Sequence, residues 1–98
     1  MKEVTPEQVL ELLNNKTNVN IIDVREDEEV ATGMIPDAKH IPLGFVEASM
    51  DELDKEKDYI IVCRSGRRSA NACMFLESEG FKVSNMVGGM LEWEGPTK

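Results

Sequence analysis

Tyr59-Ile60-Ile61-Val62-Cys63-Arg64-Ser65-Gly66-Arg67-Arg68-Ser69 is the stretch on which the fold turns. Ile60, Ile61 and Val62 form an unbroken β-branched run, the pattern of a parallel strand covered on both faces. Cys63 is expected to end that strand. Arg64 to Arg68 is a polar loop containing one glycine, and Ser69 to Glu79 reads as a helix that Gly80 closes in a left-handed cap. A strand running through a tight loop into a helix is half of an α/β unit. It places a thiol at the carboxyl end of a strand, where such sheets bind ligands.

The flanking sequence repeats the alternation. Upstream, Val19 to Val24 predicts a second buried strand around Ile21 and Ile22. Before it, Thr5-Pro6-Glu7-Gln8 reads as a capping box with proline at the first helical position. Val9, Leu10, Leu12 and Leu13 then supply an apolar helical stripe that Asn14-Asn15 end. Glu26 to Ala31 reads as a short acidic helix with a solvated first turn, stopped by Thr32-Gly33. Ile35 to Pro42 is a proline-punctuated loop with room for one short strand, and Leu43 to Leu53 fits a helix. Downstream, Phe81 to Val87 predicts a last strand, and Gly88-Gly89 turns the chain into a helical segment anchored by Trp93. The class is therefore α/β, a mostly parallel central sheet flanked by helices on both faces, in one domain over residues 1–98.

Bulk properties narrow the function. The 98 residues carry a net charge of -8, which repels a phosphate backbone and excludes nucleic acid as a partner. No apolar run approaches the roughly 20 residues of a membrane span, and Met1 to Leu13 lacks the apolar core of a signal peptide. A cytoplasmic monomer is expected. Two cysteines form neither a disulfide framework nor a zinc pattern, and in a reducing compartment both stay thiols.

Against that acidic body, Arg64, Arg67 and Arg68 sit within five residues of one another. Inward-turned N–H groups, a Gly66 free to take positive φ, and the start of the next helix together make an anion cradle. A thiol at its mouth has its pKa lowered, because the thiolate is the anion the cradle favours. The outcome is an activated sulfur nucleophile, Cys63, facing a site for a small anion. Cys73, on one helical face with Ser69, Ala72 and Leu76, reads as inert core.

These motifs resemble a rhodanese domain over nearly the whole chain. Asp23-Val24-Arg25 is similar to the family's Asp-Val-Arg motif. Gly33-Met34-Ile35-Pro36-Asp37-Ala38 followed by His40-Ile41-Pro42 resembles its Gly-His-Ile-Pro-Gly-Ala region, with Met34 where the family often has His and Asp37 where it often has Gly. Cys63 to Ser69 resembles its active-site loop, and Gly88-Gly89 with Trp93 its closing signature. The resemblance implies a thiosulfate sulfurtransferase without metal or cofactor. Cys63 would attack the sulfane sulfur of a small anionic donor, become a persulfide, and yield the sulfur to a thiol or cyanide, or to a sulfur-relay protein. The backbone of Arg64, Ser65, Gly66, Arg67 and Arg68 would cradle the persulfide, and the three arginines would receive the donor's sulfonate.

Other readings stand beside this one. Asp23 and Arg25 read as structural, Asp23 accepting loop N–H bonds and Arg25 pairing with Glu29; His40 reads as a packed loop residue. A persulfide carrier without turnover would share the same Cys63. A phosphatase-like enzyme is disfavoured because Cys63 through Arg68 spans six residues, whereas phosphatases and arsenate reductases of the related fold carry one more. A redox sensor would need a resolving cysteine, which Cys73 supplies poorly.

Overall fold

The computed structural model describes residues 1–98. Five strands form one wholly parallel sheet: β1 (Lys2–Val4), β2 (Asn20–Asp23), β3 (Lys39–His40), β4 (Asp58–Val62) and β5 (Lys82–Met86), in the spatial order β1-β5-β4-β2-β3. Helix α1 (Pro6–Asn14) follows β1, α2 (Asp27–Val30) follows β2, α3 (Val46–Ser49) lies between β3 and β4, and α4 (Arg67–Ser78) joins β4 to β5.

Strand alternation sorts the apolar residues onto two faces. Ile21, Ile60, Val62 and Met86 pack with Val9 of α1 and with Ile35, and Trp93 lies against this group. Ile22, Ile61, Val83 and Cys63 face the other way, against Ala72, Cys73 and Leu76 of α4 and against Val46 of α3. Cys63 lies one position beyond the observed end of β4 and keeps the strand's alternation, so its side chain falls on the α4 side.

Local chemistry sets the helix ends. The Thr5 hydroxyl accepts the Gln8 N–H at 3.1 Å while Gln8 Oε1 accepts the Thr5 N–H at 2.9 Å, which closes the expected capping box. Gly80 takes φ +93° at the end of α4, and Phe81 N–H returns to the Leu76 carbonyl at 3.0 Å. Asp37 stands at φ +67°, a backbone conformation that favours glycine, at a position where glycine was the expected residue.

Four details depart from the sequence reading. Lys2–Val4 is an edge strand that the charged N-terminal pattern did not suggest. Residues 43–53 form a 3-10 turn, one turn of α-helix and a second 3-10 turn instead of one helix. Helix α4 begins at Arg67, two positions early, because Gly66 at φ +99° already turns the chain into it. The last segment is a single 3-10 turn, Gly89–Glu92, with Trp93 at its end donating its indole N–H to the Pro96 carbonyl at 3.0 Å. No helix is long and apolar enough to cross a membrane.

Candidate active site

The Cys63 loop is a tight hook whose shape depends on its surroundings. Gly66 sits at φ +99°, and a side chain there would press on the Gly88 backbone nitrogen at 3.1 Å. From outside, the Met90 N–H binds the Cys63 carbonyl at 2.9 Å, and the Leu91 N–H binds the Arg64 carbonyl at 2.9 Å. Gly89 alone permits that approach, because any Cβ would collide with both carbonyls. With its carbonyls held outward, the loop turns amides toward the sulfur. Gly66 N–H donates to Cys63 Sγ at 3.0 Å.

Two residues beneath the loop complete the thiol's environment. Ser69 Oγ lies 3.2 Å from Cys63 Sγ. Asn85 Oδ1 competes with the sulfur for that hydroxyl's one hydrogen, while Asn85 Nδ2 donates to the Gly66 carbonyl at 3.1 Å. The Gly66 carbonyl can take only the amide's NH₂ side, so it fixes which way Asn85 points. Asn85, in β5 and almost fully buried, thus braces both the loop and the serine.

Burial alone would push the Cys63 thiol up. The Ser69 hydroxyl and the N–H groups of Ser69, Gly66 and Ser65 outweigh it and bring the pKa below its ordinary value. The direction is as expected, but the setting differs. Cys63 was placed at the mouth of the cradle, and its residue is wholly enclosed. The strand's alternation carries the side chain inward, under the loop.

The arginines divide. Arg64 and Arg67 are exposed, and neither joins an ion pair. Arg68 is not a free anion receptor. Its Nη1 and Nη2 grip Glu29 Oε1 and Oε2 at 2.6 and 2.7 Å. Those bonds hold Glu29 down to about 2 and the Arg68 guanidinium above its ordinary value. Glu29, read as a solvated acid and as the partner of Arg25, pairs with Arg68 instead. Arg25 is taken by Asp23 at 2.9 Å, because a carboxylate this buried needs a cation and Arg25 is two residues away. Asp23 Oδ1 also accepts the Arg25 N–H at 3.0 Å, the loop contact foreseen for it. His40, the second residue of β3, places Nε2 2.7 Å from the Arg25 carbonyl, which makes it part of the loop's scaffold.

The structure therefore brings Cys63, Arg64, Ser65, Gly66, Arg67 and Arg68 together as one loop and helix start. It adds Asn85 and Glu29, which the sequence reading left out of the site, and gives Ser69, read as the end of the loop and as part of a core face, a contact with the sulfur. Ser69 carried a usable signal, since it lies on the helix face that meets the strand end. Asn85 and Glu29 carried none, because their partners lie far away in the chain.

Known proteins agree with this architecture. Residues 5–96 match the Rhodanese-like domain family. The Bacillus subtilis protein YtwF, provisionally named a sulfurtransferase, is 49% identical over 98 residues, covering all of this chain and 95% of its own. YrkF of the same organism, provisionally named a sulfur carrier protein, is 41% identical over 98% of this chain and 52% of its own. The crystal structure of a rhodanese-like domain protein from Staphylococcus aureus superposes with a TM-score of 0.94 at 39% identity, covering 100% of this chain and 97% of that one. Sequence motifs, sheet order, cysteine loop and these likenesses converge: the chain belongs to the rhodanese-like domain family, a family of sulfur-transfer proteins.

Proposed function

We propose that the protein moves a sulfane sulfur from thiosulfate or a similar donor to a thiol or cyanide acceptor, through a persulfide on Cys63. The observation that carries this reading is the sulfur's setting: a thiol with Gly66 N–H at 3.0 Å, Ser69 Oγ at 3.2 Å and a pKa below the ordinary value. With thiosulfate, the Cys63 thiolate attacks the outer sulfur. The new bond joins Cys63 Sγ to that sulfur, the donor's S–S bond breaks, and sulfite leaves with its electron pair. The amides of residues 64–68 stabilise the resulting persulfide anion. A thiolate or cyanide then attacks the outer persulfide sulfur and restores the Cys63 thiolate. No proton, oxidant or metal enters the balance.

A relay role shares the first half of this cycle. It is favoured by the likeness to YrkF, provisionally named a sulfur carrier. In that reading a cytoplasmic partner protein supplies the acceptor thiol, and the chain works as a monomer.

The experiment is intact mass after incubation with thiosulfate. The expected result is a gain of one sulfur atom that cyanide or a small thiol removes, with no hydrolysis of an aryl phosphate. Steady phosphate release with no mass gain would replace this reading with the phosphatase one.

A further inference from the structure

Beside the Cys63 loop lies a shallow cavity of about 380 Å³, lined by Arg25, Glu28, Glu29, Arg64, Met90 and Leu91 among others. Its charges cancel: two arginines face two glutamates. Arg25 is further neutralised by Asp23, and Arg68, at the start of α4, is neutralised by Glu29. The two-bonded Arg68–Glu29 geometry is the strong form of such a pair. Both side chains are about one-third exposed or less, at 31% and 27%, so solvent screens the pair only partly. Leu91 offers an exposed apolar side chain at the same rim, with Met90 half-buried behind it. In the cavity a doubly charged donor would meet one exposed arginine, Arg64, and two acids; Arg67, also exposed, lies outside its lining, and Arg68 is already committed to Glu29.

We propose that Glu29 is a specificity-determining residue that turns the site away from dianionic donors and toward an organic persulfide of low charge, whose carbon chain packs on Met90 and Leu91. The inference rests on the sulfur-transfer reading above. In the step it favours, the Cys63 thiolate attacks the outer sulfur of R–S–SH. The Sγ–S bond forms, the donor's S–S bond breaks, and RS⁻ leaves. The proton of the transferred S–H passes to RS⁻, giving RSH and the Cys63 persulfide anion. Glu29 touches neither sulfur. It acts by holding the Arg68 guanidinium on a carboxylate and away from an incoming sulfonate.

The test compares thiosulfate with hydroxyethyl persulfide in the wild-type protein, Glu29→Gln and Glu29→Asp, at low and high salt. The wild type is expected to load Cys63 more efficiently from the persulfide. Glu29→Gln should raise kcat/KM for thiosulfate about tenfold, mainly through KM, and leave the persulfide value within about twofold. Raised salt should shrink the gain, because it is Coulombic, and Glu29→Asp should restore the wild-type preference. A sulfate titration followed on the amides of residues 64–68 gives a readout that needs no turnover, and sulfate should bind more tightly to Glu29→Gln. Equal changes for both donors, or unchanged sulfate affinity, would reduce Glu29 to a brace and overturn the inference while leaving sulfur transfer intact. Failure of both donors to load Cys63 would overturn the sulfur-transfer reading itself, and donor selection with it.

Discussion

Cys63 and Cys73 are equally enclosed, both at 0% exposure, and both belong to the cluster between the sheet and α4. Their thiols are nonetheless driven in opposite directions. Cys73, inside α4, has burial as the main influence on its thiol, with the nearby Glu77 charge adding to it, and it is pushed up to about 12. Cys63 suffers the same burial but meets hydrogen-bond donors from Ser69, Gly66 and Ser65, and it ends below its ordinary value. Exposure does not distinguish the two thiols. What distinguishes them is whether N–H and O–H groups point at the sulfur, and only a loop at a strand end can aim several at once.

The strongest attempt to break this contrast exchanges each sulfur for oxygen. Cys63→Ser should lose sulfur loading completely, because the attacking atom is gone. Cys73→Ser should still load sulfur, with only a loss of stability from placing a hydroxyl in an apolar site. Loss of loading in both variants, measured by intact mass on folded protein, would abolish the distinction.

A second attempt leaves both sulfurs in place and removes the brace. Asn85→Leu removes one of two partners from each of the Gly66 carbonyl, which keeps the Ala70 N–H at 3.2 Å, and the Ser69 hydroxyl, which keeps Cys63 Sγ. Losing two such buried hydrogen bonds costs about 1–3 kcal/mol, to be read from urea unfolding. Ser69→Ala should raise the alkylation pKa of Cys63 toward that of a free thiol and slow sulfur loading, with little change at Cys73. An unchanged Cys63 profile in Ser69→Ala would assign the activation to the backbone amides alone.

The smallest effect appears in alkaline stability, and it separates the two sites by sign. The unfolded chain releases the Cys73 proton near the ordinary value of 9.0, whereas the folded protein holds it to about 12. Stability from this group is therefore full below pH 9 and declines from 9 toward 12. Cys63, whose folded value is lowered, contributes in the opposite sense, with stability that grows as its thiol ionises and is lost as pH falls through that value. Cys73→Ala should flatten the alkaline decline above pH 9 in urea unfolding, and Cys63→Ala should remove a rise in stability that is complete near pH 9. The reverse pattern would mean that the hydrogen bonds to Cys63 favour its thiol over its thiolate.

What could be read from the sequence follows the range of the forces involved. Helix α1 was legible because its capping box and stripe are local, and β2 and β4 because unbroken β-branched runs state both strand and burial. Lys2-Glu3-Val4 is a strand only because β5 offers it an edge, with Lys2 beside Ser84 and Glu3 beside Asn85; nothing within three residues encodes that. Residues 43–53 contain enough apolar residues for a helix, but the chain breaks into short turns as it crosses from β3 to β4. At the site, the cysteine, the glycine and the helix start were local and legible. The Glu29 grip on Arg68 and the Asn85 brace join segments that meet only in three dimensions. Nothing in the string marks Arg68 as gripped by an acid, and the acid that grips it is supplied by another helix.

The brace in β5 also gives the protein a schedule. Strand β4, at the centre of the sheet, and its neighbour β2 leave the ribosome before β5 does, and β1 cannot dock until β5 exists. Pairings between distant segments form late, because the intervening chain must be closed first. Asn85 and the 3-10 turn that holds the Cys63 loop from outside are both made after α4. A nascent chain can thus have its central sheet and still present Cys63 as an unsupported thiol. The hydrogen bonds that surround this sulfur are complete only once the last strand of the sheet has docked.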